Sequence, residues 1–347
     1  MQDMEDNAKN TNPSSNNPDK IQLLSIGEAS IDVFISPTQS ESLCKLSDKE
    51  ALICFSYGDK IPVQNLDFSI GGNAANNAVG ASRLGVKTAI VLTLGEDQTG
   101  TQILDFLQKE KVDITYTFRQ PDTGSNYSAI ITYEGERTIF TYHAPRSYEF
   151  PIHLPVTPWV YLTSMGENFK PFYNHLTDWL KKNPQIKMGF NPGSWQLRAG
   201  VDELRDVLSQ TYIIFVNRQE AEKLTNLSAS QNKEKELLQS LSSLGPKISV
   251  ITDGANGAYA FDGEEFFKVP ILPVTVHQRT GAGDAFGSGC LSALIKNKPL
   301  EDALVWGAIN SASVVGLVGS TKGLLHDSEI PMWLERFRSN NLKVTKL

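Results

Sequence analysis

The stretch "RTGAGDAFGSGCLSAL", Arg279 to Leu294, sets a single carboxylate, Asp284, among Gly281, Gly283, Gly287 and Gly289. Ala285, Gly289 and Ala293 recur at helical spacing, with Phe286, Cys290 and Leu294 beside them. Thr280 to Asp284 are therefore expected at or just before the first turn of a helix. Exposed N–H groups and the helix dipole favour an anion there, and glycine lets phosphate oxygens approach the backbone. A carboxylate that close would repel a bare phosphate, so it makes sense mainly as a group that takes a proton beside one. That chemistry is an anion hole plus a base. Taken alone, the same residues also fit a tight glycine turn with an acid at a helix start. A dinucleotide-binding loop fits poorly. Its ribose-binding acid should end a strand about 20 residues on. Glu301 stands near that spacing but follows "NKPL" and begins a helix.

Three further constellations follow strand-like runs. "NRQE", Asn217 to Glu220, comes directly after "YIIFV" and sets Asn and Glu one helical turn apart. Mg²⁺ keeps several waters and needs few protein carboxylates, so this pair is adequate for it. The same spacing is also half of a capping box. "TDGANG", Thr252 to Gly257, reads as a glycine turn before "AYAFDG". In "GEASIDVF", Asp32 is an acid on an otherwise apolar strand. Burying it without a partner would be costly, and its paired acceptors suit a vicinal diol. An edge-strand acid facing water is the alternative.

These residues need a scaffold that brings distant strand ends together. "IQLLSIG", "KTAIVLTLG", "WVYLTS", "IKMGF", "YIIFV" and "KISVIT" are short apolar runs that read as buried strands. Helical patterns separate them, among them "GGNAANNAVGASRLG", a glycine turn opening a small-residue helix that stops at Gly85. Such alternation predicts an α/β fold with a mainly parallel sheet covered on both faces. Ser42 to Phe68 holds short β-prone pieces with no convincing helix, consistent with a small sheet standing apart. "SNYSAIITYE" and "RTIFTYH" form a second β-prone pair around "EGE".

The bulk properties narrow the function. A chain of 347 residues can bury a large core, and its net charge of −7 argues against nucleic acid or an anionic membrane as a partner. Three scattered cysteines and five histidines without H-x-x-x-H spacing argue against a disulfide framework and a structural zinc site. Residues 1–20 are polar, lack an apolar leader core and are expected to be a disordered tail. A cytoplasmic location is expected.

"GGNAANNAVGASRLG" and "TGAGDAFGSGCLSAL", in this order and separation, resemble the two signature regions of the ribokinase-like (PfkB) carbohydrate kinases. The resemblance covers roughly Ile21 to Leu325. It implies one ribokinase-like domain over residues 21–347: a mainly parallel central sheet flanked by helices, plus a small β-sheet lid from about 31–68 and 113–142. It also implies transfer of the ATP γ-phosphate to a sugar hydroxyl, or, second, to a nucleoside. By resemblance Gly281, Ala282 and Gly283 supply the anion hole and Asp284 takes the hydroxyl proton. Asp32, Gly71, Gly72 and Asn76 bind the acceptor. Asn217 and Glu220 organise Mg²⁺ and phosphate, often through water, and Thr252, Gly254, Gly257 and Thr280 bind ATP. "NPGSWQL", Asn191 to Leu197, resembles a loop lining the same cleft. Where the family commonly reads D-T-x-G-A-G-D, this chain has Gln278 in place of the first acid, which often helps hold an activating monovalent cation. Potassium activation is therefore not expected, and Arg279 adds a fixed positive charge nearby. Arg137 and Arg146 could reach a ligand anion, although exposed salt bridges are the plainer expectation. A non-catalytic sugar- or nucleotide-binding module would keep the glycines but could dispense with Asp284. A small exposed sheet is also a usual pairing surface, so a homodimer through the lid is plausible.

Overall fold

The apolar runs become strands buried on both faces: every residue of Leu23–Ile26 and of Trp159–Leu162 is buried. Strands of that kind need helices on both sides, which the alternating pattern supplies. The computed structural model describes residues 20–38, 43–47, 50–133, 136–228 and 233–347. The tail expected over residues 1–20 lies outside them except for Lys20.

In spatial order the main sheet runs Thr345–Lys346, Phe266–Val269, Ala258–Phe261, Ile248–Thr252, Thr211–Asn217, Lys187–Phe190, Trp159–Leu162, Leu23–Ile26, Thr88–Gly95 and Asp113–Gln120. From Ile248–Thr252 to Asp113–Gln120 all neighbours pair in parallel, and the three strands at the other edge are antiparallel. Alternate residues along a strand face separate cores. Leu23 and Tyr161 point toward helices Ala282–Ile295 and Leu300–Val315, whereas Leu24 and Val160 point toward Lys170–Lys182 and Val201–Gln210.

A second sheet carries Val63–Gly71, Ser30–Pro37, Asn126–Tyr133 and Glu136–Tyr142 in that order. It is a small sheet separate from the main one, as expected, with one correction. Asp113–Gln120, expected in the lid, pairs in parallel with Thr88–Gly95 at the edge of the main sheet. It follows helix Gln98–Lys109 and so completes a strand–helix–strand unit, whose return strand belongs beside the first. Leu43–Ser47 and Glu50–Ile53 pair as a separate ribbon. Two helices not anticipated from the sequence, Ser194–Ala199 and Ile330–Ser339, complete the described chain. Among the described residues no helix is long and apolar enough to cross a membrane.

Candidate active site

Parallel strands gather their carboxyl ends at one edge of the sheet, where an open α/β fold can assemble a site from distant segments. Thr211–Asn217 and Ile248–Thr252 end side by side, with Asn217 in register with Thr252. Each leads into one of the candidate loops. Helix Asn73–Arg83 and helix Ala282–Ile295 converge there as well, so close that a Cβ on Gly80 would meet the Ser288 hydroxyl at 2.5 Å.

Gly281 precedes its helix in the left-handed conformation, φ 80°, and its backbone lies against Ser320. A side chain there would be both strained and obstructed. The Ala282 N–H turns back to the Arg279 carbonyl at 3.3 Å, leaving the Gly283 and Asp284 N–H groups in the unsatisfied first turn. Gly283 is exposed, and nothing lies within 4 Å of where a Cβ would stand. A ligand atom can therefore come close to the helix start. The Thr280 hydroxyl is buried there and makes no hydrogen bond among the described residues.

Asp284 is half-buried and accepts a 2.7 Å hydrogen bond from Asn76 Nδ2. Burial pushes its carboxyl up to about 6; the Asn76 bond opposes this and the charge of Asp32 adds to it. Asp32 is only 6% exposed and accepts from the Ser30 hydroxyl at 2.9 Å. Burial raises its pKa too, against hydrogen bonds from Ser30 and Ser128. Gly71 lies directly against the Asp32 carboxylate, leaving no room for a Cβ. Gly72 caps the Asn73 helix at φ 90°, and a Cβ on it would meet the Glu28 carbonyl at 2.6 Å. Asp32, Gly71, Gly72, Asn76 and Asp284 thus form one contiguous group.

The Asn217 and Glu220 side chains form a complete capping box. Asn217 Oδ1 accepts from the Glu220 N–H at 2.9 Å, and Glu220 Oε2 accepts from the Asn217 N–H at 2.9 Å. The second oxygen of Glu220 is not engaged in that box. Burial raises the pKa of Glu220, the Asn217 N–H opposes this, and the charge of Asp284 adds to it, so the two acids feel each other. The Thr252–Gly257 turn holds itself through Asp253 N–H to the Gly257 carbonyl, 2.8 Å, with Gly257 at φ 89°. Arg218 ties this turn to the capping box, donating to Asp253 at 2.8 Å and to Glu234 at 2.7 Å.

The pfkB family carbohydrate kinase profile matches residues 23–326. The chain belongs to that family. This kinase is 29% identical over 282 residues to an ATP-dependent 6-phosphofructokinase of Thermoanaerobacterium thermosaccharolyticum, covering 78% of this chain and 86% of the relative. It is 28% identical over 284 residues to an aminoimidazole riboside kinase of Salmonella typhimurium, covering 78% and 88%. In fold it is similar to an Arabidopsis thaliana ribokinase complexed with ribose and ATP, with TM-score 0.74 and 20% identity over 91% of this chain and 99% of that one. The protein is an ATP-dependent carbohydrate kinase with the ribokinase fold.

Further polar residues stand beside this group, and of these Glu28, Tyr148 and His143 were not anticipated from the sequence. Glu28, buried at the end of the first strand, accepts from the Tyr148 hydroxyl at 2.8 Å and lies 3.5 Å from His143 Nδ1. The Gly166 N–H donates to the same tyrosine oxygen at 2.6 Å. Asn191 joins two elements, accepting from Asn73 at 3.3 Å and donating to the Phe215 carbonyl at 2.8 Å. Arg146 corrects the expectation of an exposed salt bridge. It is 4% exposed and donates to the Gly124 carbonyl at 2.6 Å and the Thr123 hydroxyl at 3.0 Å, locking the turn that leads into the lid. Arg137 is exposed on a lid strand.

Proposed function

We propose that this kinase phosphorylates a hydroxyl of a small sugar that presents a vicinal diol to Asp32, with Asp284 as the base. The observation that carries the proposal is the 2.7 Å bond from Asn76 to Asp284, which ties the acid at the helix start to the segment beside Asp32. Asp32 accepts from two neighbouring hydroxyls of the sugar, leaving the reacting one near Asp284. The new O–P bond forms as the bond between the γ-phosphorus and its bridging oxygen breaks. ADP leaves, and the hydroxyl proton passes to Asp284. A carboxyl held near 6 is ionised at neutral pH, yet more basic than an ordinary aspartate. The N–H groups at the helix start neutralise charge on the transferring phosphoryl oxygens. Gly281 and Ala282 shape this anion hole beside Gly283. Thr252, Gly254, Gly257 and Thr280 line the nucleotide side.

Asn217 and Glu220 fit a Mg²⁺ held mainly through water and phosphate. One carboxylate oxygen stands outside the capping box, and no group of three His, Cys, Asp or Glu among the described residues could hold a metal directly. When bound, Mg²⁺ supplies charge neutralisation between the ATP phosphates. Gln278 is 5% exposed, and its side-chain amide makes no hydrogen bond among the described residues. That neutral group supports a kinase that works without potassium. Leu66, Phe68, Tyr127, Phe140 and Tyr142 share one exposed face of the lid, by strand register, which supports a homodimer through it. A cytoplasmic site of action suits an ATP-dependent kinase of this kind.

The test is ADP release over a panel of free sugars, sugar phosphates and nucleosides. Saturable turnover with a sugar is expected. Turnover confined to nucleosides would overturn the sugar assignment. Binding of ATP and sugar without ADP release anywhere in the panel would favour a binding module over an enzyme.

A further inference from the structure

The amino ends of the parallel strands lie at the far edge of the sheet from Asp284. There a cleft of about 500 Å³ opens between Trp159, Lys187, Tyr212 and Lys247 on one side and Leu294 and Lys298 on the other. The first four stand at or beside the starts of successive strands, and the last two at the end of the helix that Asp284 begins. The two ends are separate chemical environments: acids gather at one, ammonium groups at the other.

Three features give this cleft a chemistry. The chain carries net charge −7, yet three lysines converge here. None of the three pairs with a carboxylate among the described residues. Of the one lining acid, Asp262, one oxygen is held in its own turn, Oδ1 accepting from the Glu264 and Glu265 N–H groups at 2.9 and 2.8 Å. Aromatic rings hold the ammonium groups instead. Lys187 Nζ lies 4.6 Å from the Tyr212 ring centre and 5.4 Å from that of Trp159, Lys247 Nζ 5.9 Å from Tyr212, and Lys298 Nζ 5.6 Å from Trp306. Trp159 and Tyr212 meet edge to face at 5.4 Å, which keeps their faces toward the lysines. A ring face steadies a cation without neutralising it. Like charges sharing a cleft repel, and an anion that bridges them removes that cost.

We propose that this cleft is a second ligand site, distinct from the catalytic one, for a small organic anion with two or more negative charges. The head group would sit among Lys187, Lys247 and Lys298, with the body against Ile248, Leu294 and Leu300. Phosphate esters and polycarboxylates share that chemistry, so pyrophosphate and citrate serve as the two probes. Each is titrated by calorimetry, without divalent metal, into the full-length protein and into Lys187→Gln/Lys247→Gln/Lys298→Gln. The ATP KM of the triple variant reports whether its catalytic end is intact. Saturable binding is expected for at least one probe, weakened about tenfold or more in the triple variant while the ATP KM is unchanged. Preference for pyrophosphate or citrate identifies the head group as phosphate or carboxylate. Equal binding to both proteins, or no saturable binding to the wild type by either probe, would overturn the proposal.

Discussion

Asp284→Asn should make the protein more stable and nearly inactive at once. The carboxyl of Asp284 is raised from 3.8 to about 6, first by burial and then by Asp32, against the Asn76 hydrogen bond. An acid with a raised folded-state pKa costs nothing below its unfolded value. The cost grows between about 4 and 6 as the folded protein alone retains the proton, and it is complete above about 6. A rise of about two units, at about 1.4 kcal/mol each, sets an upper bound of about 3 kcal/mol. Asp284 is only half-buried, and water screens part of that cost, so a gain of about 1–3 kcal/mol is expected from the neutral amide. The amide oxygen can still accept from Asn76, so the hydrogen bond need not be lost.

For a chain of this size the gain corresponds to a Tm increase of about 1–4 °C at neutral pH. It should shrink as the pH falls toward about 4, where the wild-type carboxyl is also neutral. Thermal melts of both proteins across that range measure it. In parallel kcat should fall by about 100-fold or more. The wild-type kcat/KM should itself fall as the pH drops below about 6, because a protonated carboxyl cannot take the proton. A variant less stable than the wild type at neutral pH would refute the burial argument. A stable variant with near-normal turnover would refute the role of Asp284 as base.

Asp32→Ala should raise the acceptor KM about tenfold or more, the loss expected for hydrogen bonds to a buried charge. ATP affinity should stay within a few-fold; equal weakening of both would move Asp32 out of the acceptor site. If the Thr252–Gly257 turn binds ATP as proposed, Arg218→Met should raise the ATP KM with little change in the acceptor KM, because Arg218 bridges Asp253 of that turn to Glu234. Unchanged ATP kinetics would make that bridge purely structural. Potassium should stimulate little more than a bulky inert cation at equal ionic strength, and Gln278→Asp with Arg279→Thr should introduce some dependence. A several-fold activation of the unmodified kinase by potassium would show that neutral oxygens alone can complete a cation site.

Much of the geometry of the candidate site was legible in the sequence because its parts are backbone devices with residue signatures. Gly72, Gly257 and Gly281 adopt positive φ where they do, and only glycine does so at no steric cost. A different limit applies to Asn217 and Glu220, whose spacing fits both a cap and a metal site; the cap is made, and one carboxylate oxygen lies outside it. Contacts between distant segments were not legible. Asn76 meets Asp284 across 208 positions, and Arg146 is buried by a turn with which it shares no local pattern. Asp113–Gln120 is half-buried throughout apart from one exposed residue, so its sequence alone does not distinguish a lid strand from an edge strand.

Electrostatics is the part that only the assembled fold exposes. Asp32, Glu220 and Asp284 lie on three separate elements, and burial raises the pKa of each. Asp284 is raised further by Asp32, and Glu220 by Asp284, so the three share one field. That field opposes the approach of a polyphosphate, and backbone N–H groups at one helix start offset only part of it. A bound divalent cation beside Glu220 would supply the missing positive charge and ease the cost of ionising all three acids together. The case for Mg²⁺ therefore rests on the summed charge of the site as well as on the spacing of Asn217 and Glu220.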